Sequence, residues 1–310
     1  MNRPANVDVL LQPRPPSPLQ EIRDDRFERY GVRLLLKRDD LIHTNVPWDT
    51  DLLGPVDLYP PGNKWRKLAP NLRAAVAGGY PELVTFGGAY SNHLRATAAA
   101  GRLLRLGTVG IVRGDELAGR PLNDSLARCA ADGMRLHFVT RSAYRDKAAL
   151  PALAGAEGAY VIPEGGSNAL ALHGCAELGR ELAGVCDVAA VACGTGGTLA
   201  GLAAGLGAGQ RALGVPVVGG GFLGAEIRSL QAAAFGGPAG DWSLAEGYAH
   251  GGYARVPAEL ALFAADFESR HGLPVERIYV AKLLWALLAL TREGAFPRGT
   301  TLAAVVTGRP

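Results

Sequence analysis

Short runs of nearly continuous apolar residues, separated by stretches with helical spacing, constrain this chain more than any other feature. The runs are Leu83–Phe86, Val109–Val112, Leu136–Val139, Tyr160–Ile162, Val188–Cys193, Val215–Gly219 and Leu302–Thr307. A strand with one face in water alternates apolar and polar residues, whereas a strand covered on both faces reads as an unbroken apolar run. Segments suited to helices, such as Asn92–Leu106, Leu122–Asp132 and Ala169–Leu182, lie between the runs. Strand, helix and strand in repetition predict an α/β fold with right-handed crossovers. We expect two domains, each an open, twisted, mostly parallel sheet flanked by helices. Residues 1–66 and 168–310 would form the larger one, and 67–167 a smaller inserted one. Both are of ordinary domain size. The 310 residues are 48% hydrophobic and 20% charged, enough apolar material for real cores and against disorder.

The net charge of +3 is small for this length and disfavours nucleic acid as a partner. The four cysteines, Cys129, Cys175, Cys186 and Cys193, form no CxxC pair and no zinc spacing with histidine. Buried free thiols are expected, and no metal. The N-terminal segment has no apolar core of a signal peptide, and no stretch has the length and apolarity of a membrane span. These features predict a soluble cytoplasmic protein.

Sheets of this kind place their working residues where strands give way to helices. The stretch "VAAVACGTGGTLAG" runs from a strand into Gly194, Thr195, Gly196, Gly197 and Thr198, then a helix. Successive backbone N–H groups, two hydroxyls and a helix N-terminus favour a phosphate. The spacing is neither a Walker A loop nor a dinucleotide fingerprint. In "FGGAYSNHLRATAAAG" a strand turns through Gly87 and Gly88 to Ser91 and Asn92, where Ser91 also suits a plain N-cap. A third turn is "IPEGGSN", Ile162 to Asn168. One phosphate site with no metal cluster points to a monophosphate cofactor. Pyridoxal 5'-phosphate fits, and it demands a lysine. "GNKWRKL" offers Lys64 and Lys67.

Taken in order, "KRDDL", "GNKWRKL", "FGGAYSNHLRATAAAG", "IPEGGSN", "ACGTGGTLAG" and "IYVAK" resemble the pyridoxal-phosphate enzymes of the tryptophan synthase β-subunit fold. The branch they resemble most is that of aminocyclopropane-carboxylate deaminase and D-cysteine desulfhydrase. The resemblance implies a homodimer with the cofactor in the cleft between two domains. It implies that Lys64 holds the cofactor covalently, Asn92 meets its phenolic oxygen, and Gly194, Thr195, Gly196, Gly197 and Thr198 cradle its phosphate. Thr307 would face the pyridine nitrogen. Ser91 would contact the substrate carboxylate or move a proton, and Tyr253 and Tyr279 would stand near the substrate. Core or interface packing is the competing role for both tyrosines. Arg66 and Lys67 are expected to pair with carboxylates or to meet the phosphate, and Asp39 and Asp40 to be partners of this basic cluster. His93 is expected to be a neighbouring or substrate-facing group rather than a base.

The chain departs from the family in three places. The stretch Ile42–Pro61 is longer and could be a lid or subunit contact. Val280 stands where the deaminases carry a glutamate after the tyrosine. The ending "VTGRP" replaces "HTGG". With no carboxylate at 280 and a hydroxyl at 307, the ring nitrogen would stay unprotonated. That favours β-elimination from a small amino acid, D-cysteine-like, to a 2-oxo acid and ammonia, with sulfide if a thiol leaves. The alternatives are an aminocyclopropane-carboxylate deaminase and a cofactor-binding protein without turnover.

Overall fold

The computed structural model describes residues 11, 16–42 and 62–309. The strands and longer helices, in chain order, are β1 (Leu19–Ile22), β2 (Arg33–Lys37), α1 (Lys64–Ala77), β3 (Glu82–Gly87), α2 (Asn92–Leu104), β4 (Gly107–Arg113), α3 (Asp124–Ala131), β5 (Met134–Val139) and β6 (Tyr160–Ile162). After them come α4 (Ala169–Leu182), β7 (Val188–Cys193), α5 (Gly197–Gly205), β8 (Arg211–Pro216), α6 (Leu223–Phe235), β9 (Trp242–Leu244), α7 (Ala258–His271), α8 (Val280–Arg292) and β10 (Thr301–Val305). Among the described residues no helix is long and apolar enough to cross a membrane.

The chain divides into two compact units. Of the described residues, one unit holds 62–168 and residue 11, and the other holds 16–42 and 169–309. One division falls between Asn168 and Ala169. At the near side the whole of α1 goes with the smaller unit, whereas the sequence reading ended the larger one at Arg66. Apart from Ile42, the stretch read as a lid or subunit contact lies outside the described residues.

The smaller unit has a four-stranded parallel sheet in the order β5-β4-β3-β6. The larger has six strands in the order β1-β2-β10-β7-β8-β9, parallel except for β1 against β2. Both are the α/β architecture expected. The unbroken apolar runs have the expected cause. In the larger unit Ala190, Ala192, Leu213, Val215 and Ala304 pack toward Leu284 and Leu287 of α8. Their neighbours Ala189, Val191, Cys193, Ala212 and Ala303 pack toward Leu178, Leu199 and Ile227 of α4, α5 and α6. Alternate side chains go to opposite faces, and both faces are dry.

The strand expected over Val215–Gly219 is displaced to Arg211–Pro216. Its register against β7, Val188 opposite Arg211 and Cys193 opposite Pro216, starts it where β7 starts. Residues 217–222 then form a glycine-rich turn. The cysteines are free and buried as expected. Burial pushes the Cys129 thiol up to about 12 and the Cys186 thiol up to about 11, so neither is a ready nucleophile.

Candidate active site

In the larger unit, β7 ends at Cys193 and α5 begins at Gly197, with Gly194, Thr195 and Gly196 between them. Gly196 is the N-cap, at φ 77, and has no side chain to satisfy the first-turn amides. A Cβ there would stand 2.5 Å from Cγ1 of Ile227 on α6. The first helical bond runs from Ala200 N to Gly196 O. The amides before it have no acceptor inside the helix, and the positive end of the helix dipole adds to their pull on an anion. Thr198 is buried in the first turn and Thr195 half-buried. This turn fits a phosphate.

Tyr279 stands against the same turn. Its hydroxyl oxygen lies 3.4 Å from the position a Cβ on Gly194 would take. Tyr253 meets Tyr279 edge to face, with ring centroids 6.1 Å apart. The two tyrosines named from sequence are therefore neighbours of each other, and Tyr279 is a neighbour of the Gly194 turn. Thr307 follows β10, which pairs with β7 through Ala304 and Ala190, so it leaves the sheet at the edge from which the turn rises. The tail is tied down behind it: Arg309 Nε lies 3.4 Å from Asp40 Oδ2. Asp40 also takes a paired bond from Arg38, at 2.8 Å to each oxygen, and Asp39 accepts from Ser17 at 2.6 Å. From the sequence, both aspartates are expected to be partners of the basic cluster. In the fold Asp40 joins Arg38 to Arg309.

In the smaller unit Lys64 is half-buried at the start of α1, after Gly62 and Asn63. Trp65, Arg66 and Lys67 are buried. Lys67 donates to Gly165 O at 3.3 Å and to Ser167 Oγ at 3.0 Å, so it holds the "EGGSN" turn. Asn71, one turn further on, exchanges amide bonds with Asn168 at 3.2 and 2.7 Å and accepts from the Tyr160 hydroxyl at 3.1 Å. Sequence reasoning passed over Asn71. Its signal was the spacing, Lys67 and Asn71 four apart on one helix face.

Ser91 caps α2, its Oγ accepting from Leu94 N at 3.3 Å, and Asn92 is half-buried as the first helical residue. The cap occupies a lone pair on Oγ and leaves the hydroxyl proton to donate. His93 turns inward and is 2% exposed. Its Nε2 lies 2.8 Å from Thr85 Oγ1, and that hydroxyl donates to Ile162 O. Thr85 has one proton, already given to Ile162, so His93 supplies the Nε2–H. Burial, then the charges of Lys64 and Lys67, hold its basicity well below the ordinary histidine value. His93 is thus a buried neighbour of the lysines.

Two further groups escaped the sequence reading. Glu276, 7% exposed, accepts from the amides of Ile278, Tyr279 and Val280 at 2.8, 2.7 and 3.2 Å. Lys282, 0% exposed, donates to Ala249 O at 2.8 Å and Gly252 O at 2.7 Å. A lone lysine inside the apolar run of α8 was the available signal.

Parallel sheets, a phosphate-suited turn at a strand's carboxyl end and a half-buried lysine at a helix start describe a cofactor-dependent α/β enzyme. The chain belongs to the pyridoxal-phosphate dependent enzymes, whose family model matches residues 61–308. A Thermotoga maritima protein with a provisional name as a 1-aminocyclopropane-1-carboxylate deaminase is 33% identical over 218 residues, 64% of this chain and 61% of that protein. The bifunctional D-cysteine desulfhydrase/1-aminocyclopropane-1-carboxylate deaminase of Arabidopsis thaliana mitochondria is 33% identical over 56% of this chain and 45% of that protein. The chain thus spans less than two thirds of the length of either curated relative. A crystal structure of an ACC deaminase homologue covers 94% of this chain and 89% of its own, with a TM-score of 0.76 and 26% identity.

Proposed function

We propose that this enzyme eliminates a leaving group from the β-carbon of a small, D-cysteine-like amino acid, giving a 2-oxo acid and ammonia, with sulfide when a thiol leaves. Lys64 would hold the cofactor, the turn Gly194–Thr198 would bind its phosphate, Asn92 its phenolic oxygen, and Thr307 would meet its ring nitrogen. When bound, the cofactor withdraws electrons from the substrate α-carbon. The chain's own groups do the rest. The Lys64 amine, once freed by the incoming amino acid, removes the α-proton. Ser91 donates to the substrate carboxylate with the proton its cap leaves available. Tyr253 and Tyr279 line the substrate and donate to the departing group. Water then completes release of the oxo acid and ammonia.

Val280 carries the choice of reaction. It is apolar and buried at the start of α8, where the deaminases that the chain resembles bear a glutamate. The nearest acidic side chain along the chain, Glu276, accepts from three backbone amides. Neither supplies a carboxylate suited to hold a protonated ring, which favours elimination over opening a cyclopropane. The names of the relatives support both activities, so aminocyclopropane-carboxylate deamination is the second reading.

Purified protein loaded with the cofactor should show a protein-bound absorption band that Lys64→Ala lacks and Lys67→Ala keeps. D-cysteine should then yield pyruvate and sulfide. Turnover of aminocyclopropane carboxylate alone would establish the second reading. A band without release of oxo acid from any amino acid would mark a cofactor-binding protein without turnover.

A further inference from the structure

Lys282 occupies a place where a lysine is costly. It is fully buried, and it lies in the first turn of α8, where the positive end of the helix disfavours a cation. Its ammonium is spent on two carbonyls, Ala249 O and Gly252 O. Those carbonyls belong to a loop, residues 249–254, under backbone strain. His250 at φ 50 and Ala254 at φ 59 are non-glycine residues in the left-handed region, with Gly251 at φ 85 and Gly252 at φ 109 between them. The loop is pinned to α8 a second time, because the His250 ring stands edge to face on Trp285 at 5.2 Å. Strain of this kind persists only where the surroundings over-determine it, and it gathers at functional sites. The residue the loop carries is Tyr253.

Glu276 does the matching work on the other tyrosine. Its carboxylate takes the amides of Ile278, Tyr279 and Val280, which fixes the backbone from which the Tyr279 ring projects onto Gly194. Burial pushes the Lys282 ammonium toward a lower pKa and the Glu276 carboxyl toward a higher one. The opposite charge of the partner resists each shift. Two buried ionisable side chains, Glu276 just before α8 and Lys282 in its first turn, thus each hold backbone beside one of the tyrosines.

We propose that Lys282 and Glu276 are positioning residues that set Tyr253 against Tyr279 and Tyr279 against the Gly194 turn, Lys282 through the Ala249 and Gly252 carbonyls and Glu276 through the Ile278–Val280 amides. This rests on the reading that the tyrosines line the substrate, and its test separates the two. Fluorotyrosine is placed at position 253 or at position 279 of the cofactor-loaded enzyme, and its fluorine resonance is recorded. Lys282→Met should shift and broaden the resonance at 253 more than that at 279. Glu276→Gln should do the reverse. Turnover should fall roughly 10- to 100-fold in each, the scale expected for a displaced reacting group. If Lys282→Met leaves the 253 resonance unmoved, or if each substitution disturbs both resonances equally, the positioning role is overturned. Should Lys282→Met not fold, Lys282→Gln, a neutral donor of similar length, makes the same measurement. Normal turnover in Tyr253→Phe, with the 253 resonance still moved by Lys282→Met, would sink the tyrosine's part in the reaction and leave the positioning intact.

Discussion

At the scale of single residues, two positions show how local chemistry is set. Gly196 needs both a left-handed backbone and an absent side chain, at φ 77 and with Ile227 Cγ1 2.5 Å from a would-be Cβ. Gly196→Ala should cost about 1–2 kcal/mol for the backbone alone, more with the displaced isoleucine, and should weaken cofactor binding. Thermal unfolding and cofactor titration check the two effects separately. His93 gives a pH dependence. Its folded pKa lies well below the unfolded value of about 6.5, so the folded state binds fewer protons. Its stabilising contribution is present above about pH 6.5 and is lost as pH falls from there toward the folded pKa, at up to about 1.4 kcal/mol per pH unit. Melting temperatures at pH 7.5, 6.5 and 5.5 should drop more steeply in the wild type than in His93→Gln. Parallel slopes would refute the linkage. The motif "SNH" marked this helix start, yet no motif reports that His93 points inward to Thr85.

At the scale of elements, the glycines of "GLAAGLGAG" matter for packing. A Cβ at Gly201 would stand 2.5 Å from Cβ of Cys175 and 2.6 Å from Leu172 O, and one at Gly205 would run into the Ala176 carbonyl. Helices α4 and α5 therefore pack backbone to backbone. Gly201→Ala should destabilise by about 1–3 kcal/mol through overpacking, read as a lower midpoint of urea unfolding with an unchanged slope. The clamp between α1 and the "EGGSN" turn is the corresponding feature of the smaller unit. Lys67→Met leaves Gly165 O and Ser167 Oγ without this donor. It should cost about 1–3 kcal/mol while keeping the cofactor band, which separates Lys67 from Lys64. Helices and strands with unbroken patterns, such as Tyr160–Ile162, Val188–Cys193 and Ala169–Leu182, are placed as their residues predict. The displaced β8 shows the limit, because an apolar run marks a strand while its ends are set by the strand beside it.

At the scale of the whole molecule, the larger unit is built from distant parts of the chain. Strand β10 lies between β2 and β7, so residues 301–305 join residues 33–37 to residues 188–190. Removing residues 301–310 would take out this joining strand and divide the sheet. We expect loss of cooperative unfolding and of cofactor binding, measured by calorimetry and absorbance. A truncated protein that still melts in one sharp transition would contradict the role of β10.

Apolar periodicity alone determined that the chain forms parallel sheets covered on both faces, because a dry strand has no polar positions. The strand–glycine–helix turns likewise located the glycine turn at Gly194–Thr198 and the helix start at Ser91, since those residue types serve local backbone needs. Tertiary structure decided the partners. Lys67 went to Gly165 and Ser167, Asp40 to Arg38 and Arg309, and Lys282 to Ala249 and Gly252. A charged side chain buried on folding must find a counter-group wherever the packed chain supplies one, and that place is not written in neighbouring residues.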